Sequence, residues 1–407
     1  MTDPTGRSFL SYRRSRISEA SLLIQAQHEI GIPTWQDIAD LAEEPTEESI
    51  RSVLNDEGTA NAIMWLTPDV AQSPIIQQVE APVIIGRVRR KDGFFIIPVA
   101  ANGASYEQAA ATVQDHIGID DLRRWNLLKV SEDPITMVSA QRIAQRVMER
   151  RLSAIAASLP PDQPIELMIF TRDAAPAASR VPIILEWHHR FVGREATLSD
   201  WSEHLLPALS SLSSLCLKVV PTRRIVASGL PSIPAATALG QAFLAPRKQA
   251  LAWRQHTTGR PDQIWSVDVP SEDSEYEVQV IAGDATARDL AVLVSVNADV
   301  QQAISASRDS LPKFRAYVHV KRKASPARSV IETPGQAAHL ARLVIDKTRE
   351  VRKDFQTKGM VHLFMAVPVG LAMMIGQLLN TLGQVQTYEH IQSGAVGVYR
   401  PAALLSQ

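Results

Sequence analysis

Over the first hundred residues, short fully apolar runs alternate with stretches of helical period. Residues 8–12, Ser8-Phe9-Leu10-Ser11-Tyr12, predict a strand. After an arginine-rich turn, the spacing of apolar positions from Ile17 to Ile30 predicts a helix, stopped at Gly31 as a left-handed cap. A second strand is expected at residues 32–35, then an acidic loop from Asp37 to Glu44. Pro45, Thr46, Glu47 and Glu48 open the next helix, with proline and acids in the first turn as the helix dipole favours. Ala60 to Leu66 predicts strand three, Ser73 to Lys91 a helix, and Phe94 to Val99 strand four. Strands and helices alternating in short steps predict an α/β domain on a parallel sheet.

Residues from Tyr106 to Ser158 read mostly as helix, and Pro160-Pro161-Asp162-Gln163-Pro164 reads as a linker, which divides the chain into domains 1–158 and 159–407. Beyond it, strands are expected at 165–170, 181–185, 217–221, 277–281, 290–296 and 313–320. Helices are expected at 198–215, from Val300 and at 335–355. This second domain reads as two α/β halves, 160–270 and 271–407, without a literal sequence repeat. Between Lys358 and Glu389 no Asp, Glu, Lys or Arg occurs. Pro368 and Gly370 interrupt that run and Asn380 and Gln384 follow it, so it reads as a buried strand, Val361 to Val367, and a buried helix, Gly370 to Leu382, rather than a membrane span.

Charge changes this picture little in total and more in its distribution. The 407 residues carry 42 Lys and Arg against 43 Asp and Glu, a net charge of -1, which argues against a coat for polymeric nucleic acid and against an acidic tail. Residues 1–150 hold 15 basic and 21 acidic residues, net -6, and the remainder is net +5. The single cysteine, Cys216, has no partner for a disulfide, and without a Cys/His cluster no metal site is expected. A reducing, cytoplasmic compartment is expected. The first sixteen residues carry four arginines and no apolar run of signal-peptide length.

Glu80 is the only charge between Asp69 and Arg87, set among Ile75, Ile76, Val79, Ala81, Pro82, Val83, Ile84 and Ile85. A lone carboxylate on so apolar a helix either does chemistry or faces solvent. Three features together resemble the TIR domain family over roughly residues 5–155: the order Phe9-Leu10-Ser11-Tyr12-Arg13-Arg14, the second strand closing on Trp35 and Asp37, and Ser73 seven positions before Glu80. The resemblance implies a flavodoxin-like parallel sheet and cleavage of the nicotinamide-ribose bond of NAD+, with NAD+ as substrate and no further cofactor. It places the catalytic carboxylate at Glu80 and NAD+ contacts at Tyr12, Arg13, Arg14, Trp35, Asp37 and Ser73. Catalytic members often carry an aromatic four residues before the glutamate; this chain has Ile76, which leaves open a non-enzymatic adaptor.

A second resemblance covers most of 160–407. It is carried by four segments: Pro231, Pro234, Ala235, Ala236, Ala238, Leu239, Gly240 and Phe243; His362-Leu363-Phe364 with Ala366, Pro368 and Gly370; Gly376, Leu379 and Asn380; and Tyr388-Glu389-His390 with Tyr399 and Pro401. These resemble the SAVED domain, a sensor related to CARF domains and fused to effectors of bacterial cyclic-oligonucleotide antiphage signalling (CBASS). The family implies two fused CARF-like α/β halves binding a cyclic di-, tri- or tetranucleotide, the trinucleotide favoured. Such ligands sit beyond the carboxyl ends of strands, where helix N-termini offer free N–H groups. The candidate contacts are therefore Thr171 and Arg172, Ser295 and Asn297, Lys321 and Arg322, and Pro368 and Gly370. Together the two resemblances imply an antiviral effector that self-associates into a higher oligomer or filament when its nucleotide binds, without membrane or polymeric nucleic acid as partner.

Overall fold

The computed structural model describes residues 1–35, 46–111, 127–176, 180–247, 250–257, 259–273, 275–323, 331–393 and 396–406. The chain divides into two compact units: residues 1–163 with 176–185 and 214–220, and residues 164–175 with 186–213 and 221–407.

The first unit is built on five parallel strands, β1 (Arg7–Ser11), β2 (Thr34–Trp35), β3 (Thr59–Leu66), β4 (Phe95–Ala100) and β5 (Leu128–Lys129), in the order β2-β1-β3-β4-β5. That order is the flavodoxin-like doubly wound arrangement expected from the sequence. β3 and β4 are buried at every position, as sheets covered on both faces require. The helices are α1 (Ile17–Ile30), α2 (Thr46–Asn55), α3 (Ala81–Arg90), α4 (Tyr106–Ala111) and α5 (Met137–Ser158). Gly31 caps α1 with φ +98°, a left-handed conformation that disfavours a side chain. Two later segments join this unit through polar contacts. Arg151 on α5, fully buried, donates to the carbonyls of Thr5, Gly6 and Pro182, and Ile184 N–H donates to Gly31 O. Lys218 pairs with Glu149 at 2.9 Å.

The second unit holds two layered sheets. In the first, β6 (Ile165–Phe170) pairs parallel with β8 (Ile225–Leu230), β8 parallel with β9 (Leu251–Gln255), and β9 antiparallel with β10 (Gln263–Trp265); β7 is Ile183–Glu186, within which the division between units falls. The second sheet comprises β11 (Tyr276–Ala282), β12 (Asp289–Ser295), β13 (Phe314–Arg322), β14 (Val361–Ala366), β15 (Val385–Ser393) and β16 (Val396–Leu405), in the order β11-β13-β12-β14-β15-β16. Its central strands β13, β12, β14 and β15 run parallel, and β11 and β16 are antiparallel edges. The helices are α6 (Leu206–Val219), whose residues 214–219 belong to the first unit, α7 (Ile233–Ala242), α8 (Gln301–Ala306), α9 (Pro334–Asp354) and α10 (Val369–Gln377).

The uncharged run is strand and helix as expected, β14 followed by α10, and both are buried. α7 and α10 cross at backbone contact: a Cβ on Gly240 would lie 2.0 Å from the Met373 carbonyl oxygen, and one on Gly376 would lie 2.2 Å from that of Thr237. Only glycine permits so close an approach. Residues 217–219, expected as the start of a strand, instead finish α6, because buried Leu212 and Cys216 and exposed Leu217 follow a helical period. No described helix is long and apolar enough to cross a membrane, and no described group of three His, Cys, Asp or Glu side chains is arranged to hold a metal ion.

Candidate functional site

In the first unit, Ser11 ends β1 and Glu80 ends a π-helical turn, Ile76–Glu80, that runs directly into α3. Ser11 Oγ donates to Glu80 Oε2 at 2.5 Å, and Glu80 is only 7% exposed. The extra residue in a π turn re-aims the side chains that follow it, a device frequent at functional sites. Ile76 and Val79 of the same turn enter the core with Met64, Leu66 and Ile84. The side chain four residues before Glu80 therefore packs inward.

The other residues proposed for NAD+ fall around β1 or in the core. Tyr12 is buried, Arg14 is exposed, and Arg13 pairs with Asp69 just beyond β3. Burial opposes ionisation of Asp69, but hydrogen bonds from Thr67 and Arg13 and the charges of Arg13 and Arg16 hold its carboxyl below the ordinary value. Trp35 stacks on Phe9 within the core, ring centroids 5.2 Å apart. Ser73 precedes the helical turn, and its Oγ accepts from Ile76 N–H at 3.5 Å. Asp37 lies outside the described residues. Sequence reasoning passed over Glu19, a second buried carboxylate that accepts from Trp65 Nε1 at 2.9 Å and Asn102 Nδ2 at 3.0 Å and pairs with Arg16. Its one visible signal is the i,i+3 spacing from Arg16.

In the second unit, a polar cluster forms where β6 and β8 deliver their carboxyl ends to α7. Thr171 Oγ1 accepts from Ser232 N–H at 2.8 Å, and Ser232 Oγ caps α7 by accepting from Ala235 N–H at 3.3 Å. Arg172, 44% exposed, lies 3.6 Å from Glu389 Oε1 on β15. Glu389 is 4% exposed, and its Oε2 has no hydrogen-bond partner among the described residues. Burial raises the Glu389 carboxyl to about 7; the Ser232 hydroxyl and Arg172 pull it back, while Glu195 pushes it further up. Glu195 is itself paired with Arg400.

The remaining candidates are spread along the second sheet. Ser295 Oγ lies 2.8 Å from His319 Nε2 and accepts from Val300 N–H at 3.2 Å, while Asn297 is exposed with its N–H on Ala366 O. Lys321 pairs with Glu277 at 3.2 Å, and Arg322 lies opposite Tyr276 in the ladder. Pro368 is the residue before α10, and a Cβ on Gly370 would meet Trp253 at 2.7 Å and Trp265 at 3.0 Å. The two crossing helices thus begin in unlike surroundings: α7 beside carboxylate, hydroxyl and guanidinium, α10 on buried indoles. Of the proposed contacts, Thr171 and Arg172 are brought together with Ser232 and Glu389, and Ser295 with His319. Ser232, Glu195, His319 and Arg400 had no distinctive sequence signal.

The family model of the SMODS-associated and fused to various effectors sensor domain (SAVED) matches residues 212–405. Those residues resemble a SAVED domain. Two solved structures share the chain's fold: the Acinetobacter baumannii Cap4 SAVED/CARF-domain containing receptor with the cyclic trinucleotide 2'3'3'-cAAA, and the same receptor with 3'3'3'-cAAA. Each is 13% identical, covers 97% of this chain and 98% of its own, and superposes with a TM-score of 0.51. At that identity the likeness is one of fold. No curated protein matches the chain in sequence. The matched segment begins within α6 and contains α7, α10, Glu389, strands β8 to β10 of the first sheet and the whole second sheet, but Arg172 and Thr171 precede it.

Proposed function

We propose that the chain is a nucleotide-activated effector: a cyclic oligonucleotide binds the second unit, the protein self-associates, and the first unit cleaves NAD+ as part of an antiphage response. The observation carrying the sensor role is the SAVED match at 212–405, supported by a fold shared with receptors that bind cyclic trinucleotides. The effector role draws support from the parallel order β2-β1-β3-β4-β5 and from a buried glutamate beside the carboxyl end of β1.

Nicotinamide is already a cationic leaving group, so the reaction asks little of the protein. As the bond from C1′ to nitrogen breaks, both electrons leave with nicotinamide and the ribose becomes oxocarbenium-like. The Glu80 carboxylate stabilises that cation electrostatically, and water then adds at C1′ and loses a proton, giving ADP-ribose. In the state described, Glu80 accepts from Ser11 and is shielded from solvent, so a site completed by neighbouring copies would explain how activity waits for ligand.

The deciding experiment mixes the full chain, NAD+ and a panel of cyclic di-, tri- and tetranucleotides and measures nicotinamide. One ligand is expected to trigger release, and Glu80→Gln to lower it by about 100-fold or more, the scale of losing a preorganised electrostatic group. A second reading, a non-enzymatic adaptor, is favoured by one observation: Ile76 is buried where catalytic relatives often present an aromatic. Ligand-driven assembly without nicotinamide would select it.

A further inference from the structure

The N-terminus of α7 already holds an anion, and it is the protein's own. Helix N-termini favour negative charge, and the ten-residue α7 receives it from Glu389 through the Ser232 hydroxyl. Yet this carboxylate is poorly served. Its Oε2 has no partner among the described residues, and Arg172 stands 3.6 Å from Oε1, beyond a good charge-assisted bond, with nearly half of its side chain in solvent. A buried carboxylate with one long ion pair and an orphaned oxygen is costly in its charged form.

We infer that Arg172 and the α7 N-terminus form a subsite for one phosphodiester of the cyclic oligonucleotide, and that filling it replaces the negative charge of Glu389 by that of the ligand, with uptake of one proton by Glu389. This rests on the sensor reading above. The proton comes from solvent and no covalent bond to the ligand forms. Two anions cannot share one guanidinium and one helix end in a buried setting without one being neutralised. A phosphodiester stays charged throughout the physiological range, so Glu389 takes the proton. Its carboxyl, raised by burial to about 7, is close enough to neutrality for this to cost little.

The groups facing Glu389 come from several elements: Arg172 after β6, Ser232 before α7, and Glu195, which carries Arg400 of β16 as its partner. Burial pushes Tyr399 of β16 well above the ordinary phenol range, and the charges of Glu389 and Asp299 push it further. His390, the next residue, is held below its ordinary value by burial.

The test uses the full chain and 3'3'3'-cyclic triadenylate. If binding requires protonated Glu389, the dissociation constant rises by about 30-fold between pH 6 and pH 8.5, since the competent fraction sets the apparent affinity. Calorimetry at pH 8 in buffers of different ionisation enthalpy is expected to show close to one proton taken up. Glu389→Gln, neutral at every pH, is expected to bind with a flat profile and at pH 8.5 to exceed the wild type. Binding without proton uptake by the wild type, or an unchanged pH profile in Glu389→Gln, overturns the inference and leaves the sensor reading intact. Failure of the wild type to bind any cyclic nucleotide of the panel at any pH removes that reading and the inference with it.

Discussion

Ser11 and Glu80 lie 69 positions apart in sequence and share a hydrogen bond, so the serine is one of the groups that orient the carboxylate. Removing the hydroxyl leaves the buried carboxylate with one donor fewer. On the proposed reaction, Ser11→Ala is therefore expected to lower kcat for NAD+ cleavage by about tenfold while KM moves by less than about twofold, the pattern of a lost positioning contact rather than a lost substrate contact. Steady-state kinetics at saturating activating nucleotide check it; a change confined to KM would assign Ser11 to substrate binding. Glu80 itself was legible in the sequence because it stands alone in an apolar stretch. Ser11 was quoted there only as part of a motif, since nothing in a local pattern reveals a bond between a strand end and a helix formed from another part of the chain.

At the scale of elements, legibility followed hydrophobic periodicity. β3, β4 and β14 are nearly continuous apolar runs, and α1 shows helical spacing with a glycine stop, so each was expected close to where it occurs. β8 went unrecognised because Ser228 and Gly229 dilute it, and Gly229 adopts φ +121°. β9 and β10 are short and mix Arg254, Gln255 and Gln263 with their tryptophans. The β15–β16 hairpin carries Glu389, His390 and Gln392, so its residues were noticed as a motif but not as strands. The crossing of α7 and α10 also belongs to this scale. Gly240→Ala drives a methyl into the Met373 carbonyl and is expected to cost about 1–3 kcal/mol, the usual range for overpacking. Gly376→Ala acts against Thr237 in the same way. Once the helices have moved apart for one methyl, the second meets less resistance, so the double variant is expected to cost less than the two singles added. Urea midpoints for the three variants measure this, and strict additivity would mean that the two contacts yield independently.

For the whole molecule, near-neutrality conceals a net -6 over residues 1–150 and +5 over the rest. The proposed ligands differ accordingly: NAD+ has to be bound within an acidic unit, whereas a cyclic oligonucleotide meets an environment of the opposite sign. Raising salt from about 0.05 to 0.5 M shortens the screening length from about 14 to 4 Å and is expected to weaken cyclic trinucleotide binding several-fold. A thermal-shift titration of the full chain at the two salt levels reads this directly, because ligand bound to the folded state raises the midpoint. An unchanged shift would mean that the charge split has no part in recognition.

The glycine contacts between α7 and α10 are related by one constant displacement along the chain. Gly240 meets the carbonyl of residue 373 and Gly376 that of residue 237, and a shift of 136 residues carries each pair into the other, as it carries Ile225 to Val361 and Ile233 to Val369. This is the reciprocity of an isologous dimer, written into a single polypeptide. Two identical subunits are bound to present identical faces, but a fused pair is free to let them drift apart. Here one helix end has come to rest beside Glu389 and Arg172 and the other on Trp253 and Trp265. A ring of identical nucleotides would meet unequal neighbours at its equivalent positions, so a symmetric molecule would be held in an asymmetric grip, with one phosphate singled out from the others.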